Sequence, residues 1–350
     1  MEIMRENWGK TKKNEQVLLY KLKNNHIEVE ILNYGGIIRK ILMKDRYGNM
    51  ENIVLSMESI EEYEEYSPYF GAIVGRNAGR IAEARFEIDG GLYELSKNSG
   101  NNNIHGGISN FSHKVWSSKS WQDGERGIVE LTLVSPDGEE GFPGNLQVKV
   151  RYILQGNELV IKYFAKTDKK TFLNMTNHSY FNLSGDRKRD VLEHHLRVNA
   201  DKFIEVQEET LPVRISPVEG GAFDFRDGKE LKKSLNSKEE QIEIVGGGLD
   251  HPFVLKDRAG VVLADRESGR KLEVSTTENS VVIYSGNYLQ DVKTLKTPKF
   301  KKYDGIAFET QNYPDVINFL KEKANLIDVD KPYSQETKYK FILENREEFI

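Results

Sequence analysis

The sequence predicts an all-β fold, a large antiparallel sandwich with few and short helices. Apolar and polar side chains alternate with a period of two in several segments, which is typical of strands that bury one face. The clearest alternating segments are Val129–Leu133, Leu146–Tyr152, Leu272–Val274 and Thr337–Ile342. Turn-forming residues separate such segments at Asp89-Gly90-Gly91, Pro136-Asp137-Gly138, Gln155-Gly156-Asn157 and Ser268-Gly269. Many short strands joined by tight turns favour a sandwich over a fold that alternates strands with helices.

Helical signals are weak, and nothing divides the chain. The two candidate helices are Met57–Tyr63 and Gly228–Leu235. No low-complexity linker interrupts the sequence, and no internal repeat recurs at a fixed period. We therefore predict one domain that spans residues 1–350.

The composition excludes several classes of function. Apolar residues make up 38% and charged residues 30% of the chain, the balance of a folded soluble protein. The net charge of -5 comes from interspersed acids and bases, so no basic footprint for nucleic acid is present, and no apolar run reaches the length of a membrane span. The polar segment Met1–Asn7 is unlike a secretory signal, and the lack of cysteine rules out disulfides and thiolate metal sites. These features favour a cytoplasmic protein without a nucleic-acid or membrane partner.

Four islands rich in Gly, Asn or His break the alternation. They are Gly75–Ile81, Asn98–Gly107, Thr176–Leu183 and Phe308–Asp315. Such clusters favour irregular backbone, and loops of this kind bring polar side chains together on a ligand. The Asn, Arg, His and Tyr side chains in these islands supply the hydrogen-bond partners and the aromatic surface that a sugar requires.

The islands resemble, in the same order along the chain, those of the aldose 1-epimerase (galactose mutarotase) family. Three further segments resemble that family: Glu140–Leu146, Leu249–Phe253 and Tyr284–Asn287. The similarity runs from about Asn33-Tyr34-Gly35-Gly36 to the C-terminal strand. Any one of these motifs is weak evidence, but seven or so in the family's order are specific.

The resemblance implies a galactose-mutarotase-like β-supersandwich that binds the sugar in a cleft on one sheet. It implies an isomerase that interconverts the α and β anomers of free hexoses such as D-galactose and D-glucose. Glu309 would then be the general base and His178 the general acid, while His105 would assist at the ring oxygen or the anomeric carbon. The residues that would bind the sugar are Arg76, Asp250, Asn102 and Tyr180.

The chemistry of anomer exchange is compatible with this set of residues. The reaction removes the proton of the C1 hydroxyl and protonates the ring oxygen, so that the ring opens, the C1–C2 bond rotates and the ring closes on the other face. One base and one acid suffice, so we expect neither a metal nor another cofactor. Adjacent strand residues point to opposite faces, which sets aside a metal site at His194-His195.

Each candidate also has an ordinary structural role open to it. His105 and His178 could be hydrogen-bonded loop residues, and Glu309 could be an outward-facing strand carboxylate paired with a lysine. Arg76 could anchor the turn at Gly75–Gly79 through backbone carbonyls, and Asp250 could be a turn residue. Tyr180 could be a core aromatic, although it lies two residues from His178.

Three other functions compete with this reading. An epimerase of a phosphorylated hexose would need several cations around the phosphate, for which Arg76 and Arg80 are weak candidates. An inactive carbohydrate-binding module would have no use for both His178 and Glu309. A glycoside hydrolase could use Glu309 and Asp250 as its two carboxylates but would leave the histidines without a role.

The sequence departs from the family pattern at Gly79, where the family often has Asn, a change expected to alter a turn or remove one loop hydrogen bond. The lysine-rich stretch at Val292–Lys302 suggests no function. The preferred aldose and the choice between a monomer and a homodimer stay open.

Overall fold

The structure, a computed structural model that describes residues 1–344, consists mainly of short strands. In chain order they are β1 (Glu2–Lys10), β2 (Gln16–Lys23), β3 (Ile27–Leu32), β4 (Ile38–Lys44), β5 (Met50–Asn52), β6 (Ile73–Val74), β7 (Arg80–Ile81), β8 (Arg85–Ile88), β9 (Gly91–Glu94), β10 (Asn103–Ile104), β11 (Ser117–Asp123), β12 (Arg126–Ser135), β13 (Leu146–Gln155), β14 (Glu158–Thr167), β15 (Thr171–Phe172), β16 (Thr176–Asn177), β17 (Tyr180–Phe181), β18 (His195–Val198), β19 (Ala200–Val206), β20 (Pro212–Pro217), β21 (Lys229–Glu230), β22 (Asp250–Leu255), β23 (Ala259–Ala264), β24 (Arg270–Thr276), β25 (Ser280–Tyr284), β26 (Ile306–Gln311), β27 (Leu326–Ile327) and β28 (Tyr333–Leu343). The all-β prediction is confirmed, and each of the four alternating segments lies within a strand.

The α-helices of the described residues are short. They are α1 (Ile60–Glu65), α2 (Leu231–Leu235), α3 (Glu240–Ile244) and α4 (Val316–Phe319). Turns of 3-10 helix lie at Ala82–Ala84, Phe111–His113, Glu139–Gly141, Leu289–Asp291 and Lys321–Lys323. Both predicted helices exist but begin three residues later than expected, because Ser59 caps the first and the second follows the two-residue strand β21. None of these helices is long and apolar enough to cross a membrane.

The strands form three large antiparallel sheets. The first sheet has five strands in the order β1-β2-β3-β4-β5. The second has nine strands in the order β11-β12-β13-β14-β28-β24-β23-β18-β21, and the third has six in the order β17-β26-β25-β22-β19-β20. The other strands form two-stranded sheets: β7 with β10, β15 with β27, β6 with β16, and β8 with β9.

One large hydrophobic cluster joins the inner faces of the three large sheets. It includes Tyr20 of the five-stranded sheet, Val150 and Phe341 of the nine-stranded sheet, and Phe308 of the six-stranded sheet. The period-two pattern places Phe308 in this core, so its neighbour Glu309 must face the opposite side of the sheet. The single domain over residues 1–350 stays a prediction, and its last six residues lie outside the described part of the chain.

The lysine-rich stretch is anchored by a buried carboxylate of α1. Glu62 accepts hydrogen bonds from the backbone N–H groups of Leu295, Lys296 and Thr297, at 2.7, 2.9 and 2.9 Å. Burial opposes its ionisation, but these bonds outweigh burial and hold its pKa at about 2. The stretch is therefore fixed to the fold through its backbone, while its lysine side chains contribute nothing to this anchor.

Candidate active site

One face of the six-stranded sheet forms the floor of a pocket of about 270 Å³. Cross-strand pairing aligns Glu309 with Val282 and Val282 with Pro252, and it aligns Ala307 with Tyr284 and Tyr284 with Asp250. Residues two apart on a strand share a face, so these two rows lie side by side on the same face. Glu309 and Asp250 thus project into one pocket, with strand β25 between them.

His178 stands beside Glu309 between two tyrosine rings. Its ring stacks on Tyr180 at 4.9 Å and on Tyr69 at 6.0 Å between centroids. Its backbone is fixed on both sides, since its N–H donates to Ala72 and its carbonyl accepts from Gly71. Nε2 of His178 lies 3.4 Å from Oε1 of Glu309, and each of the two residues is 4% exposed.

His105 completes this group from the loop opposite. Its backbone has a positive φ of 53°, and its ring lies edge-on to Tyr69 at 4.6 Å and to His178 at 5.3 Å. Nδ1 of His105 accepts a hydrogen bond from the backbone N–H of Gly79 at 3.2 Å. Nδ1 is therefore unprotonated, and Nε2 of the neutral ring carries the hydrogen as a donor.

Burial sets the protonation of the Glu309–His178 pair. It raises the pKa of Glu309 to about 8, with a further rise from the nearby Asp250 and an opposing effect of Arg80. Burial lowers the pKa of His178 to about 4. Between these values the pair holds one proton, and burial favours its position on Glu309 over His178, whose Nε2 lies 3.4 Å away.

The other ionisable groups of the pocket follow the same physics. Burial raises the pKa of Asp250 to about 6, against the attraction of Arg80. Burial, then His178 and Arg80, lowers the pKa of His105 well below its usual value. The histidine rings are thus neutral near pH 7.

The structure brings together five of the seven predicted site residues. Those that line the pocket are His105, His178, Tyr180, Asp250 and Glu309. Asn102 does not: its side chain accepts from the N–H of Glu83 at 2.9 Å and donates to Glu209 at 2.9 Å, so it ties two loops together behind the pocket wall. Asn98 of this island acts similarly, since its side chain accepts from the N–H of Ile104 at 2.8 Å and donates to the carbonyl of Ile104 at 3.0 Å.

Arg76 also lies outside the pocket, and its assignment to sugar hydroxyls is corrected. Its buried guanidinium donates to Ser135 and to backbone carbonyls of the turn at 135–144, at 2.9 to 3.0 Å. The guanidinium therefore points into this turn rather than into the pocket, and the residue is 2% exposed. Arg80, from the same island, lines the pocket instead, and its buried Nε has no hydrogen-bond partner within residues 1–344. The sequence names Arg80 individually only as a weak candidate for a phosphate, although it predicts that the island containing Arg80 supplies hydrogen-bond partners for a sugar.

Several residues that line the pocket are absent from the predicted site residues. They are Tyr69, Glu208, Val282, Tyr284 and Tyr288. The alternation of β25 shows that Val282 and Tyr284 share a face, but only the pairing with β22 and β26 shows that this face is the pocket. Tyr69 has a positive φ of 64° just before Phe70, which no local pattern predicts.

The donor set suits proton transfer better than a metal ion. The nearest ligand atoms of His105, His178 and Glu309 lie within 4.8 Å of one another, close enough to surround an ion. However, Nδ1 of His105 is occupied by the Gly79 N–H and Nε2 carries a hydrogen, so neither nitrogen offers a free lone pair. Metal binding would require that hydrogen bond to break.

Comparisons with known proteins point to one family. A family model described as Aldose 1-epimerase matches residues 18–340. The galactose mutarotase of Rattus norvegicus is 39% identical over 328 residues, which are 92% of this chain and 93% of that protein, and the aldose 1-epimerase of Escherichia coli is 33% identical over 93% of this chain and 95% of its own. A solved galactose 1-epimerase from Lactobacillus acidophilus superposes with a TM-score of 0.88 at 32% identity, covering 98% of this chain and 99% of that one. The predicted fold type is thereby confirmed.

Proposed function

This chain belongs to the aldose 1-epimerase family, and we propose that Glu309 and His178 are the base and the acid with which it interconverts sugar anomers. It is accordingly an isomerase that acts on a carbohydrate. The observation that carries the proposal is the buried pair of Glu309 and His178, 3.4 Å apart on the pocket floor. Two such groups, in contact and shielded from water, can exchange a proton with each other and with one bound sugar.

The pair supplies both halves of the reaction without a net change in protons. Transfer of the shared proton from Glu309 to His178 gives a carboxylate beside an imidazolium. The carboxylate accepts the proton of the C1 hydroxyl, and the imidazolium donates its proton to the ring oxygen, which becomes the C5 hydroxyl as the C–O bond breaks. The open-chain aldehyde then rotates about C1–C2, and the reverse steps close the ring on its other face.

The neighbouring groups have supporting parts. His105 directs an N–H donor into the pocket, where it stabilises negative charge on the sugar oxygen as the ring opens or closes. Arg80 and Asp250 provide a donor and an acceptor for hydroxyls remote from the reacting bond. Tyr180 offers its ring to the apolar face of the sugar and fixes the plane of His178 by stacking.

The size and charge of the pocket favour a free monosaccharide. A volume of about 270 Å³ is near the lower end of ligand pockets, which run from ~300 Å³ upward. Within residues 1–344 the pocket is lined by the carboxyl groups of Glu208, Asp250 and Glu309 and by the single cation Arg80. A phosphorylated hexose would meet net repulsion there. We propose D-galactose and D-glucose as substrates, since the relatives named above are galactose mutarotases and aldose 1-epimerases.

Polarimetry tests this proposal directly. Freshly dissolved α-D-galactose and α-D-glucose are followed with and without the protein, in buffer that contains a chelator. We expect a faster approach to the same final rotation, and the ratio of rates gives the sugar preference. No acceleration with either sugar would refute the function, and hexose 6-phosphates then test the other epimerase. A cytoplasmic location and a monomeric or homodimeric state stay predictions.

A further inference from the structure

The carboxylate of Glu140, outside the pocket, accepts hydrogen bonds from the loop that carries His105. Oε2 of Glu140 accepts the backbone N–H of Ile108 at 2.9 Å, and Oε1 accepts that of Ser109 at 2.8 Å. The backbone carbonyl of Glu140 accepts from the N–H of Ser96, at the other end of the same loop. Each carboxylate oxygen thus has its own donor, and Glu140 is hydrogen-bonded to both ends of the loop, at Ser96 and at Ile108 and Ser109.

Two glycines of the loop pack closely against Glu140 and the Gly75 backbone. A Cβ added to Gly107 would lie 2.2 Å from Oε2 of Glu140, and one added to Gly106 would lie 2.2 Å from the carbonyl oxygen of Gly75. Both glycines have positive φ, 88° for Gly106 and 100° for Gly107. The two residues that follow His105 are therefore packed between Glu140 and the Gly75–Arg76 peptide, a fit that only glycine allows.

Arg76 holds the turn that presents Glu140. Its guanidinium donates to Ser135 and Pro136 before Glu140 and to Pro143 and Gly144 after it. Its own backbone begins at the Gly75 carbonyl that supports Gly106. Arg76 thus connects the Gly75–Arg76 peptide, which packs against Gly106, to the turn at 135–144 that contains Glu140.

We propose that Glu140, presented by Arg76, is a positioning residue for His105. It touches neither the pocket nor His105 itself and acts through the backbone of residues 106–109. The kinetic part of this inference rests on the proposed function, because it assigns His105 a task in the reaction. A displacement of about 1 Å in a reacting group costs ~10²-fold in rate, so a loop held this closely matters to the chemistry.

The kinetic test compares two changes at Glu140 with a matched control. Glu140→Gln keeps the shape but turns an NH₂ group toward one of the two N–H donors, so we expect kcat to fall by ~10- to 100-fold. KM should change by less than about threefold, because Arg80 and Asp250 lie elsewhere in the pocket. Glu140→Asp keeps both acceptor oxygens and should recover part of the loss.

Glu83→Gln is the control, since Glu83 has the same φ of 53° in a similar 3-10 turn while its side chain is 63% exposed and pairs with Arg85. Its kcat should match that of the parent. A Glu140→Gln variant whose kcat stays within twofold of the parent would overturn the inference, as would equal losses in both Gln variants.

A second readout does not depend on activity. Imidazole ¹⁵N–¹H correlation spectra resolve the ring of His105 among seven histidines once a His105→Asn variant identifies its signals. In Glu140→Gln these signals should shift and broaden while those of His194 stay in place. If Glu140→Gln does not fold, Glu140→Asp carries the same test. Unchanged His105 signals would overturn the inference even if kcat fell, whereas an inactive parent protein with shifted signals would refute only the proposed function.

Discussion

Replacing Glu309 by Gln should slow catalysis strongly and at the same time stabilise the free protein. In the folded chain burial raises the pKa of Glu309 from 4.5 to about 8. The folded protein therefore binds this proton more tightly than the unfolded chain does, so ionisation of Glu309 favours unfolding as the pH rises. Below pH 4.5 the carboxyl is neutral in both states and costs nothing. The cost grows through the interval from 4.5 to 8 and is complete above it.

The size of the effect follows from the same two pKa values. Each pH unit within the interval is worth about 1.4 kcal/mol, so the free energy of unfolding is reduced by about 1 kcal/mol at pH 5, about 3 kcal/mol at pH 7 and about 4 kcal/mol at pH 8. Glu309→Gln removes this reduction because an amide does not ionise. Catalysis loses its base, and kcat should fall by ~10²- to 10⁴-fold.

Urea unfolding at several pH values measures the first effect and polarimetry the second. The difference in unfolding free energy between Glu309→Gln and the parent should widen by about 2 kcal/mol from pH 5 to pH 7. Glu83→Gln, at an exposed ion pair, should follow the parent at every pH. A Glu309→Gln variant that is less stable at pH 7 would refute the reasoning, since it would mean that Arg80 keeps the carboxylate ionised in the folded protein.

Three further variants test other features. For the parent, kcat/KM should fall above pH about 8 as the Glu309–His178 pair loses its proton. Asp250→Asn should move this fall to lower pH, because the repulsion that raises the pKa of Glu309 is gone. An unchanged pH profile would show that Asp250 does not have this role. Arg80→Gln should raise KM for α-D-galactose by ~10-fold or more with a smaller change in kcat, and a kcat loss alone would contradict its binding role. Glu62→Gln should lower the free energy of unfolding at pH 7 by about 2–4 kcal/mol in urea titrations. The unfolding free energies of parent and variant should converge as the pH falls from 4.5 toward 2, where Glu62 becomes protonated. A difference that stays constant with pH would exclude the ionised carboxylate as the cause.

The strands were predictable because their pattern is local. Strand β13 alternates over its whole length, and the predicted segment from Leu146 to Tyr152 falls within it. Strand β26 is different, since all six of its residues are buried. One face packs in the core through Phe308 and the other carries Glu309 into the pocket, so the alternation that marks an outward-facing strand is absent. The sequence could name Glu309 by family resemblance but could not show which way it faces.

The pocket contains Arg80 rather than the predicted Arg76, and local sequence could not decide between them. Both arginines belong to one island, and either could reach a ligand. The choice is made by carbonyl groups at 135–144, some 60 residues along the chain, which enclose the guanidinium of Arg76. Asn102 follows the same rule, since its partners Glu83 and Glu209 come from two distant loops. Composition identifies residues able to make hydrogen bonds, whereas the long-range fold decides which of them remain available to a substrate.

The departure from the family pattern at Gly79 now has a structural meaning. Gly79 has a φ of 74°, and its N–H fixes His105 through the backbone, a bond that does not depend on the side chain at this position. A Cβ added to Gly79 would lie 3.3 Å from Nε2 of Gln311 and 3.1 Å from Cβ of Pro314. Gly79 also lines the pocket, so the side chain that the family often carries here would occupy the pocket wall. The departure therefore leaves intact the hydrogen bond that orients His105, and we predict that it acts on the packing against Gln311 and Pro314 at the pocket wall rather than on proton transfer.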